Sequence, residues 1–187
     1  KNFNINIQKS SILEKYLPRK YIFFHFKKKI FNDLGWNFNQ LNILFNEFNK
    51  YRDDIVLTKD IEIDENNILF SKNFNSYDFK FNKFIDKKRN VLFLNNIVGE
   101  DLFNVIKYSD KVIAFHGMMT NLGSLLKKPV LDLFHCEINS WEDYRRYRNS
   151  FYEFKPQYDD YDFIIPKKDI NKTINKIKFS LKKCQIK

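Results

Sequence analysis

Glycine is scarce in this chain. Only four glycines occur in 187 residues, and none of the segments holding them reads Gly-x-Gly-x-x-Gly or forms a P-loop. The usual glycine-rich cradles for dinucleotides and ATP are therefore excluded. Two cysteines, Cys136 and Cys184, are too few for a disulfide framework or a four-ligand zinc site, and both read as free thiols of a reducing compartment. No apolar run approaches the roughly 20 residues of a membrane span, and no signal-peptide core opens the chain, so the expected location is cytoplasmic. The sequence opens at Lys1 rather than Met and is expected to derive from a longer product. No Ser-His-Asp arrangement is evident, and nothing marks a general base.

What is present is apolar, aromatic and basic. Hydrophobic residues make up 43% and aromatic residues 18% of the chain, which excludes disorder. The length suits a single domain with a substantial core. The net charge of +10 favours anionic partners: phosphates, nucleic acid or acidic lipid. Part of that charge follows from a composition rich in Phe, Tyr, Asn, Lys and Ile, the mark of AT-rich coding.

Short apolar strands alternate with helical patterns. The run 21–26 (YIFFHF) reads as a strand and 27–37 as a polar loop. Phe38, Leu41, Leu44, Phe45 and Phe48 recur at helical spacing behind a capping Asn37. Strands are expected at 55–58 and 90–96, with strand-like pieces such as 68–70 in the less legible stretch between them. Gly99 precedes an amphipathic helix bearing Leu102, Phe103 and Ile106. A strand at 111–115, a helix over about 119–127, and a strand opened by Pro129 follow. The segment 141–149 reads as a charged helix. The last helix, 168–183, carries Ile170, Ile174, Ile177 and Leu181 on one stripe.

This alternation predicts a Rossmann-like α/β fold: a parallel sheet of five or six strands with helices on both faces. Residues 1–20 read as a lead-in to one domain spanning 1–187. Ligands in such folds bind beyond the carboxyl ends of the strands, so the functional loops are 27–37, 59–64, 95–100, 116–121 and 135–141.

The most informative segment is 109–134, SDKVIAFHGMMTNLGSLLKKPVLDLF. A strand delivers His116 and Gly117 to its carboxyl end, and Gly117 permits close approach of a ligand or an unusual backbone angle. Met118, Met119, Thr120 and Asn121 then open a helix whose unpaired amides and positive dipole end suit a phosphate. The same pattern also fits an ordinary strand-to-helix turn. Lys27 and Lys28, beside Lys29, follow the first strand, where an ammonium would neutralise a diphosphate; a solvated lysine run is the alternative. His25, Lys59, Asn95, His135 and Glu142 are expected to line the cleft. His135-Cys136 matches no metal-ligand spacing, so no metal and no separate cofactor are expected. The interleaved arginines and aromatics of 141–148 resemble a nucleic-acid surface or a plain surface helix.

The 109–134 segment resembles the donor-binding signature of heptosyltransferase-like glycosyltransferases, in which an Asp-Thr-Gly-Pro-Met-His turn leads to a helix and Gly-Lys-Pro-Val. Here 115–121 (FHGMMTN) takes the place of the turn and 127–130 (KKPV) that of the second motif. The His-Gly…Thr-Asn pattern is also similar to the turn of the xylosyltransferase-like family. YIFFHFKKKIFNDLGW resembles the opening of the same donor domain, in which a lysine meets the diphosphate. The chain departs from the first pattern by lacking the Asp, by Thr120 or Asn121 in place of the turn His, and by Lys59-Asp60 in place of Gly-Gly. The resemblance implies the donor half of a metal-independent glycosyltransferase, binding a nucleotide-diphosphate sugar for transfer to a glycan or lipid-linked acceptor. It further implies a separate N-terminal domain supplying the acceptor site and the catalytic base, so no catalytic residue is assigned here. A basic nucleic-acid-binding module and a catalytically silent assembly protein are the alternatives, and nucleic acid is the less expected partner.

Overall fold

A computed structural model of the chain describes residues 17–51, 54–59, 76–78, 83–86, 90–94, 97, 99–135, 141, 142, 145 and 160–183. The strands are β1 (Tyr21–Phe26), β2 (Asp54–Lys59), β3 (Ser76–Asp78), β4 (Lys83–Asp86), β5 (Val91–Leu94), β6 (Lys111–Phe115), β7 (Val130–Leu133) and β8 (Tyr161–Ile164). The helices are α1 (Lys28–Asp33), α2 (Phe38–Phe48), α3 (Gly99–Lys107), α4 (Met118–Leu125) and α5 (Ile170–Lys183).

All eight strands form one sheet in the order β3-β4-β5-β2-β1-β6-β7-β8. The six strands from β5 to β8 pair in parallel, whereas β3 and β4 add an antiparallel edge. Numbered along the chain, the parallel strands lie in the order 3-2-1-4-5-6 of a doubly wound, Rossmann-type fold. Connections run outward in opposite directions from β1 and β6, so the topological switch point falls between those two strands.

Side-chain alternation along the strands fills both faces, as parallel sheets require. Ile22, Phe24 and Phe26 point with Leu57, Phe93, Phe115 and Leu133 toward the layer of α1, α2 and α5. Tyr21, Phe23, Val56, Val112 and Val130 face α3 and α4. Phe24 meets Phe45 and Phe48 edge-on, with ring centroids 6.5 and 5.3 Å apart. Helix α2 begins in a reciprocal cap: the Asn37 side chain accepts from the Asn39 amide at 2.8 Å, and Gln40 Oε1 accepts from the Asn37 amide at 2.9 Å.

The expected strands 21–26, 55–58, 90–96, 111–115 and the one after Pro129 correspond to β1, β2, β5, β6 and β7. Three elements differ. The polar stretch 27–37 holds the short helix α1, because Phe31 and Leu34 pack into the aromatic layer beneath β1. Gly99 is itself the first residue of α3. β8 joins the parallel sheet from a charged segment that sequence periodicity does not mark as a strand. The strand-like piece at 68–70 lies outside the described residues. Of the charged segment 141–149, Trp141, Glu142 and Arg145 are described, and all three are helical.

Candidate functional site

At the carboxyl end of β1 the chain turns through Lys27 into α1; at the carboxyl end of its neighbour β6 it turns through His116 and Gly117 into α4. The parallel register (His25 beside Ala114) brings the two turns together. Lys27 Nζ donates to the His116 carbonyl at 2.5 Å. It also stands 2.6 Å from the point a Cβ on Gly117 would occupy. Gly117 has φ 144° and ψ −148°, a conformation essentially reserved for glycine. The ammonium therefore rests on backbone that only glycine leaves open.

Helix α4 starts at the same spot. The first i→i−4 bond runs from the Asn121 amide to the Gly117 carbonyl at 3.2 Å, so the amides of Met118, Met119 and Thr120 precede the helical ladder. Thr120 is fully buried. Its hydroxyl donates to the Gly117 carbonyl at 2.8 Å and accepts from the Gly117 amide at 3.3 Å, which fixes the strained turn. Met119 is buried, while Met118 and Asn121 are exposed. Deeper in α4, Gly123 lets the helix sit close on the sheet: a Cβ there would lie 3.0 Å from Val112 Cγ2 and 3.1 Å from Val130 Cγ2.

His116 Nδ1 lies 2.6 Å from Asp132 Oδ2. Asp132 projects from β7 one residue before its carboxyl end and is completely buried. Its Oδ2 also accepts from the Tyr161 hydroxyl of β8 in a short hydrogen bond. The other oxygen, Oδ1, is buried without a hydrogen-bond partner. Neither Asp132 nor Tyr161 stands out as a site residue on a first reading of the sequence. The signal was a charged residue within the apolar run VLDLF, where a buried carboxylate persists only with dedicated partners.

The other expected residues are more dispersed. His25 is buried at the end of β1 with Nδ1 2.9 Å from Thr58 Oγ1 of β2, on the same face as Asp132. Lys28 opens α1 and is half-buried. His135 follows β7 on the α1 side of the edge, its Nε2 4.0 Å from Asp33 Oδ2. Lys59 ends β2, Glu142 is exposed, and Asn95 lies outside the described residues. Among the described residues no group of three or more His, Cys, Asp or Glu side chains is placed to hold a metal ion, and no helix is long and apolar enough to cross a membrane.

The doubly wound sheet, with a glycine-led strand-to-helix turn at its switch point, is a Rossmann-like α/β architecture, and solved structures of the GT-B fold share it. The chain is similar to ADP-heptose LPS heptosyltransferase II from E. coli, with a TM-score of 0.55 and 11% identity over 95% of this chain. It is also similar to the UDP-GlcNAc 2-epimerase of Methanocaldococcus jannaschii in complex with UDP-GlcNAc and UDP, with a TM-score of 0.52 and 12% identity over 92% of this chain. A putative UDP-N-acetylglucosamine 2-epimerase from Listeria monocytogenes matches with a TM-score of 0.52 and 15% identity over 94%. The chain spans 54%, 42% and 41% of those proteins' lengths, respectively. At such identities the likeness is one of fold. No protein-family model matches the sequence, and neither does any curated protein sequence.

Proposed function

We propose that the chain binds a nucleotide-diphosphate sugar at the switch point between β1 and β6 and serves as the donor-binding half of a glycosyltransferase. The observation that carries this reading is the meeting of the Lys27 ammonium, Gly117 and the first turn of α4. A cation adjoins the N-terminus of a helix whose leading amides precede its hydrogen-bond ladder, an arrangement suited to a diphosphate. The diphosphate would displace Lys27 Nζ from the His116 carbonyl and take its charge. The same groups would stabilise the departing nucleoside diphosphate electrostatically during glycosyl transfer. A second domain would contribute the acceptor, a glycan or lipid-linked group, from across the cleft. The reading is supported by fold neighbours whose names specify UDP-GlcNAc, UDP and ADP-heptose.

Thermal unfolding with a panel of nucleoside diphosphates tests it, because a ligand that binds only the folded chain raises Tm by mass action. A rise with at least one diphosphate at millimolar concentration is expected, and no rise with any would count against the site. Oligonucleotide anisotropy across about 50–200 mM salt separates this reading from nucleic-acid binding, which weakens by orders of magnitude over that range. Tight oligonucleotide binding that persists at the upper salt limit and ignores excess diphosphate would favour the nucleic-acid module.

A further inference from the structure

Asp132 is a fully buried carboxylate at the carboxyl edge of the sheet, and its Oδ2 is shared by His116 Nδ1 and the Tyr161 hydroxyl. Such a carboxylate costs too much desolvation to be carried without a purpose-built partner. The partner is the imidazole that begins the α4 turn. We infer that Asp132 is a positioning residue that makes His116 a proton-linked receptor for the diphosphate, an inference that rests on the nucleotide-binding reading above.

The chemistry follows from which ring nitrogen is committed. A carboxylate oxygen accepts, so His116 presents Nδ1–H to Asp132. The centroid of the Phe134 ring lies 4.4 Å from that of the imidazole, and the side chain is 27% exposed. The edge left for a ligand is Nε2. In the neutral ring Nε2 is a lone pair, which repels a phosphate oxygen. In the protonated ring it is an N–H that donates to one, while Asp132 balances the positive charge from behind. Binding an anion at this edge therefore favours the imidazolium and takes up a proton.

Among the described residues, four charged or titratable groups bear on this edge. Lys27, from the end of β1, donates to the carbonyl of His116 itself. Asp132 comes from β7 and Tyr161 from β8. His25, at the end of β1, lies beside Ala114 of β6 and is engaged with Thr58. The first turn of α4 (Met118, Met119, Thr120 and Asn121) contributes no titratable side chain. The sign is then set: binding takes up a proton, so affinity for the fully ionised diphosphate falls as pH rises, once the ligand's own ionisation near about pH 6 is allowed for.

The test is calorimetric titration of uridine and adenosine diphosphate into the full chain over about pH 5.5–8.5, in two buffers of different ionisation enthalpy. The expected result is proton uptake on binding and a Kd that weakens with pH, approaching tenfold per unit, the limit for one linked proton. Asp132→Asn keeps an acceptor for Nδ1 but removes the charge, so it should flatten the profile and weaken binding at low pH; Tyr161→Phe should do so to a lesser degree. If either diphosphate binds with a pH-independent Kd, or if Asp132→Asn leaves the profile unchanged, this inference is overturned and the nucleotide site stands. If no nucleoside diphosphate of the panel binds at any pH, both fall. Long-range proton–nitrogen NMR on the unliganded wild type guards against a variant that fails to fold. It should find His116 protonated at Nδ1, and a ring protonated only at Nε2 would overturn the inference without any substitution.

Discussion

The ammonium of Lys27 lies over the backbone of Gly117, 2.6 Å from where a Cβ on that residue would stand. The contact closes the gap between the two strand ends that flank the switch point, and it makes the pair a sensitive place to perturb the site without opening the core.

Gly117→Val would force a β-branched residue into a backbone conformation that costs about 1–3 kcal/mol outside glycine, and would crowd Lys27 as well. The turn should rearrange and nucleoside diphosphate binding should be lost, with far-ultraviolet circular dichroism unchanged. A folded Gly117→Val variant that binds with wild-type affinity would place the site elsewhere.

Lys27→Met keeps much of the aliphatic length of the side chain and removes its charge. Charge-assisted hydrogen bonds contribute about 1.5–3 kcal/mol, so diphosphate affinity should drop by roughly tenfold to a hundredfold. Isothermal titration reads the change directly; an unchanged Kd would show that the ammonium does not reach the ligand.

Gly123→Val tests the seat of α4 on the sheet. A Cβ there would already lie 3.0 Å from Val112 Cγ2 and 3.1 Å from Val130 Cγ2, inside ordinary van der Waals contact, and valine's methyl groups add to the crowding. Overpacking of this kind costs about 1–3 kcal/mol, visible as a lower urea midpoint. Full stability would mean that the helix lifts without penalty.

Tyr21 donates from its hydroxyl to the Val105 carbonyl at 2.6 Å. Burial, with Asp110 and Tyr108 nearby, pushes its ionisation well above the usual tyrosine range. The folded chain then holds a proton that the unfolded chain releases near about pH 10. The contribution is present below that pH and fades as pH rises beyond it. Stability of the wild type should therefore fall more steeply above about pH 10 than that of Tyr21→Phe. Parallel slopes in alkaline denaturant titrations would refute the assignment.

Elements that bury a continuous apolar face are legible in the order of residues alone. YIFFHF, IVLT, VLFL and KVIAF are strands because β-branched and aromatic runs of that length fill both sides of a parallel sheet. The helix behind Asn37 and the last helix are legible because their apolar residues repeat with the helical period. The role of Gly117 at a strand-to-helix turn was legible too, since it stands between the apolar run KVIAF and the start of a helix. Tertiary structure alone decided the rest. The six-residue helix α1 carries too little periodicity to declare itself and exists because Phe31 and Leu34 find Trp36 and Phe115. The strand β8 begins in an acidic, tyrosine-rich stretch and becomes a strand by pairing with β7. The conjunction of Lys27 with Gly117, and of His116 with Asp132 and Tyr161, spans 90, 16 and 45 residues of chain. Such contacts are set by strand order, which local propensity does not encode, because hydrogen bonding between parallel strands is fixed only when the whole sheet assembles.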